Sequence, residues 1–291
     1  MEREQLFSYE ERFDVVLSYV YDHLDQPLDL VKLAEIAGMS PRHWHRIFAA
    51  AFGESLPALI KRVRLQRAVA MLADSVPVRE VAERCGYPNV SSFTRAFRTA
   101  IGTTPAEYRT SGSHADLRVA RVADDPRRYP VRETEIASVR CVAVRHRGSF
   151  LTIDRAFHDL RIWLLAHGVA ADECEMYGAY LTDPTLTPEY ELESLACMRV
   201  PEGFDPELRA LAPDAPNPFW FSVRPGRYAV FTHVGAYADM PESYAWLLGC
   251  WLPQSGRQLT NDPVIEQYVT LPQGSSPTAV RTHLMLPLHH A

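Results

Sequence analysis

The sequence predicts a multidomain protein: an all-α N-terminal double helix-turn-helix domain, then an α+β C-terminal domain made of a duplicated βαββ unit. Three observations carry this. Residues 1–112 are helical in pattern almost throughout and contain one turn-and-helix arrangement twice. Residues 131–288 show apolar/polar alternation broken by two long helical stretches, and they also repeat internally. With 291 residues and 47% apolar side chains, the chain is long enough to fill two cores.

Composition narrows the class. The 30 basic and 36 acidic side chains leave a formal net charge of −6, which excludes a histone-like protein but not a locally basic surface. No apolar run approaches the roughly 20 residues of a membrane span. The stretch from Met1 to Glu11 is polar and acidic, unlike a secretory signal. Cys85, Cys141, Cys174, Cys197 and Cys250 are scattered without a CxxC pair, which speaks against a disulfide framework or structural zinc. The expectation is a cytoplasmic protein with no membrane partner, no metal and no cofactor.

Charge is unevenly placed in the helical part. Residues 1–29 hold 2 basic and 8 acidic groups, whereas residues 30–112 hold 12 and 6. A basic core behind an acidic leading helix suits DNA, although a solvated helical bundle gives the same count.

The repeat separates the two readings. Leu33-Ala34-Glu35-Ile36-Ala37-Gly38 recurs as Val81-Ala82-Glu83-Arg84-Cys85-Gly86, each with a small Ala four residues before a Gly. The Ala lets a second helix approach, and the Gly takes the positive-φ position that ends the first. The following helices carry equivalent apolar stripes, Trp44, Ile47, Phe48 and Ala51 against Phe93, Ala96, Phe97 and Ala100, 49 residues apart. Ser40-Pro41 and Pro88-Asn89 open these helices, and Gly53 and Gly102 close them. The predicted units are 29–53 and 78–102.

Opposite the stripes lie Arg42, His45 and Arg46 in the first copy and Ser91, Thr94 and Arg95 in the second. Such side chains suit base edges and phosphates in a major groove. Between the copies, residues 55–73 predict a long helix with Lys61, Arg62, Arg64 and Arg67. Its length of roughly 28 Å approaches the roughly 34 Å between successive major-groove faces. A spacer of that kind lets one chain span two adjacent turns of duplex.

Residues 8–110 resemble the AraC-type DNA-binding domain. The resemblance rests on Gly86-Tyr87, on Ser92-Phe93-Thr94-Arg95-Ala96-Phe97-Arg98, and on Gly102-Thr103-Thr104-Pro105-Ala106-Glu107-Tyr108-Arg109. It implies seven helices, with Arg42, His45 and Arg46 as groove residues of the first unit and Ser91, Thr94 and Arg95 of the second. The expected partner is double-stranded DNA, an asymmetric operator of about two major-groove turns, with Lys61 on phosphate. Members often carry a bulkier or amide side chain in place of Arg42 and His45, so the base sequence read does not carry over.

Thr110 to Ser113 and Ala123 to Pro130 are small, polar and charged, and residues 113–130 predict a linker. Beyond it, His146-Arg147-Gly148-Ser149-Phe150 matches His233-Val234-Gly235-Ala236-Tyr237 at an offset of 87. Phe157, Leu160 and Leu164 then match Tyr244, Leu247 and Trp251. From Gly168 and Gly256 onward the offset is 88, and Tyr177–Pro184 matches Ile265–Pro272. Each half reads strand, helix, strand, strand, with first strands at Glu135–His146 and Arg227–His233. Two such halves related by a pseudo-twofold axis enclose a cleft, a usual place for a small molecule.

The duplication also isolates one acid. Tyr180 and Tyr268 are equivalent, but two positions earlier Gly178 stands against Glu266. Alternation puts Val264, Glu266 and Tyr268 on one face. If that face lines the cleft, a buried carboxylate among aromatics calls for a cationic ligand. If it faces water, or an Arg lies nearby, Glu266 is an ordinary surface or paired acid.

Residues 131–288 resemble the GyrI-like effector-binding domain. The residues that carry this are Arg224-Pro225-Gly226-Arg227-Tyr228, His233-Val234-Gly235-Ala236-Tyr237, Trp251-Leu252-Pro253-Gln254-Ser255-Gly256 and Pro263 to Tyr268. The resemblance implies that Glu266 contacts a hydrophobic cation. The candidate ligand set is Glu266, Tyr268, Tyr180, Tyr237, Phe150, Trp163 and His283; Trp246 and Trp251 read as core. His283 replaces an acid common in the last strand, and Ser194-Leu195 replaces a frequent Tyr-Asp pair.

No GxGxxG, P-loop, HExxH or GxSxG motif occurs, and no nucleophile sits beside a base. The expectation is a one-component transcription regulator whose effector alters DNA binding or contact with RNA polymerase. The enzymatic alternative is hydrolysis of strained electrophiles with Glu266 as general base.

Overall fold

The computed structural model describes residues 12–13, 15–52, 54–74, 76–112, 129–171, 174–212, 217–270 and 279–289. The expected linker lies outside them except at its last two positions. The chain divides into two units, one of which, Met1–Leu117, also takes in Gly235–Pro241.

The helical unit contains α1 (15–22), α2 (Leu30–Ile36), α3 (Pro41–Phe52), α4 (Leu56–Ala73), α5 (Val78–Arg84), α6 (Val90–Ile101) and α7 (Pro105–Ser111). Local chemistry sets the boundaries. Asp29 caps α2 by accepting from Val31 N at 2.9 Å, and Asn89 caps α6 by accepting from Ser92 N at 2.8 Å. Thr104 and Glu107 close a reciprocal capping box on α7. The turns α2–α3 and α5–α6 are the two expected ones, with Gly38 at φ 63° and Gly86 at φ 70°. Trp44, Phe48 and Phe52 of α3 bury their rings with Phe13, and Phe93 and Phe97 of α6 pack with Tyr108 and the Leu65–Leu72 side of α4.

Gly86 is fixed by more than its φ. Arg64 on α4 reaches back to donate to Leu24 O at 3.0 Å and Gln26 O at 2.5 Å. A Cβ at Gly86 would lie 2.4 Å from Leu24 O and 2.5 Å from the same guanidinium. The second turn is thus locked against the end of the first helical segment.

The second unit is an eight-stranded antiparallel sheet. Its strands are β1 (Val131–Ile136), β2 (Val139–Arg147), β3 (Met176–Tyr180), β4 (Glu193–Arg199), β5 (Phe219–Val223), β6 (Gly226–Val234), β7 (Val264–Tyr268) and β8 (Arg281–Pro287), in the order β1-β6-β8-β7-β3-β4-β2-β5. Exchanging the two halves reverses this order onto itself, so the expected duplication is real and its axis runs between β3 and β7. The first strand departs from expectation. Glu135–His146 is broken between β1 and β2, and each half begins with an extra strand that pairs with the other half: β1 with β6 and β5 with β2.

Helix α8 (Asp154–Ala166) follows β2, and α9 (Met240–Trp246) follows β6. α9 runs into a π turn, Leu247–Trp251, and a last short turn, Leu252–Ser255. The step from 87 to 88 in the repeat falls between Trp251 and Gly256, in the short turn that follows the π turn. Alternation splits the sheet's side chains between two cores. Cys141, Tyr177, Leu195, Cys197, Ile265 and Met285 fill one face; Val142, Ala196 and Met198 pack with Phe157, Leu160 and Leu164 of α8 on the other. All five cysteines are buried thiols.

Candidate functional site

In the helical unit, the polar faces of α3 and α6 are open. His45, Arg46, Ser91 and Arg95 are exposed and Thr94 is half-buried. The side chain of Arg42 lies outside the described residues. Of the four basic residues on α4, Lys61 is exposed, but two are structural. Arg62 holds Glu54 at 2.7 Å with both side chains largely buried, and Arg64 ties the backbone as above. The 18 residues of α4 span about 27 Å, matching the expected spacer.

The sheet unit concentrates its chemistry on the pseudo-twofold axis. Gly178 and Glu266, equivalent in the repeat, are direct partners across β3 and β7. Glu266 is 3% exposed and both its oxygens are engaged. Oε1 accepts from Tyr244 OH and Oε2 from Tyr180 OH, each at 2.8 Å. Tyr180 OH lies 2.9 Å from Tyr268 OH. Since the single Tyr180 hydrogen is directed to the carboxylate, Tyr268 donates into the group rather than receiving from it. Phe150 packs edge-on to Tyr180 at 4.7 Å, and Phe157 edge-on to Tyr268 at 5.4 Å.

Burial raises Glu266 above the ordinary carboxylate range, and the bonds from Tyr180, Tyr244 and Tyr268 oppose that rise. Burial, then the charge of Glu266, pushes Tyr180 and Tyr244 well above the usual phenol value, so they remain donors. The result is one carboxylate solvated by phenols instead of water, beneath three partly exposed rings. Rings and carboxylate together present a diffuse negative potential to a cation.

The structure brings together Glu266, Tyr180, Tyr268 and Phe150 from the expected set. His283 does not join them. His283 Nδ1 sits 3.2 Å from Gln267 Oε1, and Gln267 alternates with Glu266 and Tyr268, so His283 belongs to the opposite face. Trp163 stacks on His167 at 3.9 Å, meets Phe204 edge-on and packs against the same apolar cluster as Tyr180 and Tyr268. Tyr237, the repeat counterpart of Phe150, is half-buried. Sequence reasoning did not nominate Tyr244 for the site. Its signal was present: the repeat equates it with Phe157, so a hydroxyl appears where the first half has a bare ring.

The remaining polar residues of the repeated motif are structural. His146 contacts Ser194 Oγ at 3.1 Å and Thr152 Oγ1 at 3.0 Å, and burial lowers its pKa to about 4. Its counterpart His233 contacts Ser243 Oγ at 2.8 Å. Among the described residues no group of three His, Cys, Asp or Glu side chains could hold a metal, and no helix is long and apolar enough to cross a membrane.

Comparison with known proteins matches both units. Residues 33–111 match a helix-turn-helix domain family, and residues 129–289 match the GyrI-like small molecule binding domain. Transcriptional regulator Rob of Salmonella typhimurium is 25% identical over 288 residues, covering 94% of this chain and 96% of that protein. Right origin-binding protein of Escherichia coli K12 is 26% identical over 292 residues, with the same coverage. Multiple antibiotic resistance protein MarA of Salmonella typhimurium is 31% identical over 104 residues, 35% of this chain and 82% of that one.

Proposed function

The chain belongs to the AraC-type helix-turn-helix regulators that carry a GyrI-like small-molecule-binding domain, and on that premise we propose that its effector is a hydrophobic cation held at the Glu266 cluster. As a member it is a DNA-binding transcription regulator with a small-molecule-binding C-terminal domain, not an enzyme. The observation that carries the proposal is the buried carboxylate with three phenols around it. An ionised acid in such a place is costly unless hydrogen-bonded or paired. Here the phenols supply the bonds, and the compensating charge is left for a ligand. Both oxygens already accept from tyrosines, an arrangement suited to holding charge and poorly suited to activating water.

The direct test compares tetraphenylphosphonium with tetraphenylborate, which match in shape and differ in charge. Calorimetry on the full chain should show binding of the cation, lost in Glu266→Gln, and none of the anion. Equal binding of the two ions refutes the reading.

On the DNA side, we propose that Arg46 and Arg95 read base edges, with His45, Ser91 and Thr94 beside them and Lys61 on phosphate. The exposed faces of α3 and α6 and the length of α4 support one chain covering an asymmetric site of two adjacent major-groove turns. Binding of the effector then acts through differential affinity for two states of the regulator, read out in DNA binding or in contact with RNA polymerase. Titration of a labelled duplex at increasing protein concentration tests the stoichiometry, and two chains per asymmetric site would overturn it.

A further inference from the structure

The two symmetry-related positions on the axis are filled unequally. On one side Tyr244, Glu266 and Tyr180 form a hydrogen-bonded carboxylate; on the other, the equivalent residues are Phe157, Gly178 and Tyr268. The second side therefore offers rings, one phenol and no charge. Gly178 faces Glu266 directly in the register of the central strand pair. A second acid there would face the first across neighbouring strands, and like charges so close cannot both stay ionised. Space is limiting too. A Cβ at Gly178 would lie 2.8 Å from Tyr268 OH and 3.1 Å from the Tyr180 ring. The absence of a side chain at 178 leaves room for the hydroxyl contact between the two tyrosines.

We propose that Gly178 is a specificity-determining residue that fixes the charge count of the ligand at one: the site holds a single cationic centre at Glu266, with the apolar body of the ligand over the Phe157–Tyr268 side. This rests on the cation reading above and adds the valence of the ligand and the residue that sets it. A compact ligand with a second cation would place that charge against rings and a glycine, with no counter-charge within the site.

The test uses two flat probes of nearly the same shape, N-methyl-4-phenylpyridinium with one charge and N,N′-dimethyl-4,4′-bipyridinium with two. Calorimetry on the full wild-type chain should show the monocation bound at least about tenfold more tightly, as expected for leaving one buried charge uncompensated. Gly178→Ala should weaken the monocation about tenfold through its clash with the Tyr268 hydroxyl. Combining it with Tyr268→Phe should bring a much smaller further loss than Gly178→Ala causes alone, because the shortest contact is gone and only the 3.1 Å approach to the Tyr180 ring remains. Gly178→Asp in the Tyr268→Phe background should shift preference toward the dication. Equal or tighter binding of the dication by wild type overturns the role of Gly178 while leaving the cation reading standing. Failure of wild type to bind either probe or tetraphenylphosphonium overturns the cation reading itself. The wild-type comparison decides the matter even if the Asp variant does not fold.

Discussion

Tyr244→Phe is the perturbation that most directly interrogates the buried carboxylate. It deletes one hydroxyl and keeps the ring, and Phe157 in the equivalent place shows that a bare ring packs well there. The lost bond is a charge-assisted one to Glu266 Oε1 at 2.8 Å. Such a bond to a largely buried ion is worth about 1.5–3 kcal/mol, and the oxygen left without it belongs to a residue only 3% exposed. Glu266 is already raised by burial, so its ionised form destabilises the fold relative to its protonated form. Its contribution is most favourable below the unfolded carboxylate range and is lost as pH rises through the higher folded value. Removing Tyr244 OH raises that folded value further. The variant should therefore be about 2 kcal/mol less stable at pH 8 and nearer wild type at pH 5. Urea unfolding followed by tryptophan emission reads this out, since Trp163, Trp220, Trp246 and Trp251 all belong to the sheet unit. In the Glu266→Gln background the same substitution should cost about 1 kcal/mol or less, the value of a neutral bond. An equal cost at both pH values, or an equal cost in both backgrounds, would refute the assignment of Glu266 as an ionised, phenol-solvated group.

Further outcomes follow from other named contacts. Gly86→Ala should destabilise the helical unit far more than Gly102→Ala in thermal circular dichroism. Both glycines have positive φ, worth about 1 kcal/mol each, but only at Gly86 would the new Cβ also collide with backbone, at 2.4 Å. Arg46→Ala and Arg95→Ala should each cost about 1–3 kcal/mol on a selected duplex and relax preference at a few base pairs, whereas Lys61→Ala should weaken all sequences alike and lower the salt slope by about one; fluorescence anisotropy across salt concentrations separates the two behaviours. His146, held neutral down to about pH 4 by burial, contributes stability that is full above the unfolded histidine value and is lost as pH falls toward 4. His146→Gln should flatten that acid limb in urea titrations at stepped pH.

Where the sequence was legible, the reason is local. The helical unit announced itself because its caps, glycine turns and apolar stripes act over four to seven residues, and the second copy repeats each signal. What escaped was long-range. Nothing in the alternation of Val131–Ile136 or Phe219–Val223 says that each pairs with the other half of the duplication, because strand partners are chosen by geometry far along the chain. Residue type alone draws His283 into the ligand set, whereas register puts it with Gln267, on the face away from Glu266. Tyr244 was hidden in the apolar stripe of its helix, where a tyrosine reads as core until its hydroxyl is traced to Glu266. On the spacer helix a charge count does not distinguish Lys61 from Arg62 and Arg64, yet the two arginines are committed to holding the helical unit together.

The end of the second helix, from the wide turn Leu247–Trp251 through the short turn Leu252–Ser255, works as an expansion joint between the two copies. An extra residue in a regular helix would swing everything after it by about 100°, and an extra residue in β7 would send its side chains to the wrong face. Placed between Trp251 and Gly256, the addition is absorbed at the end of the helix, and β7 leaves it in phase with β3. Glu266 consequently lands opposite Gly178. The two copies differ in length at the end of the helix, while the central strand pair keeps step. Changes of length in this protein should thus be tolerated within the second helix and punished in β3 and β7, a pattern that a scan of single-residue deletions across 176–180, 247–251 and 264–268 would make visible.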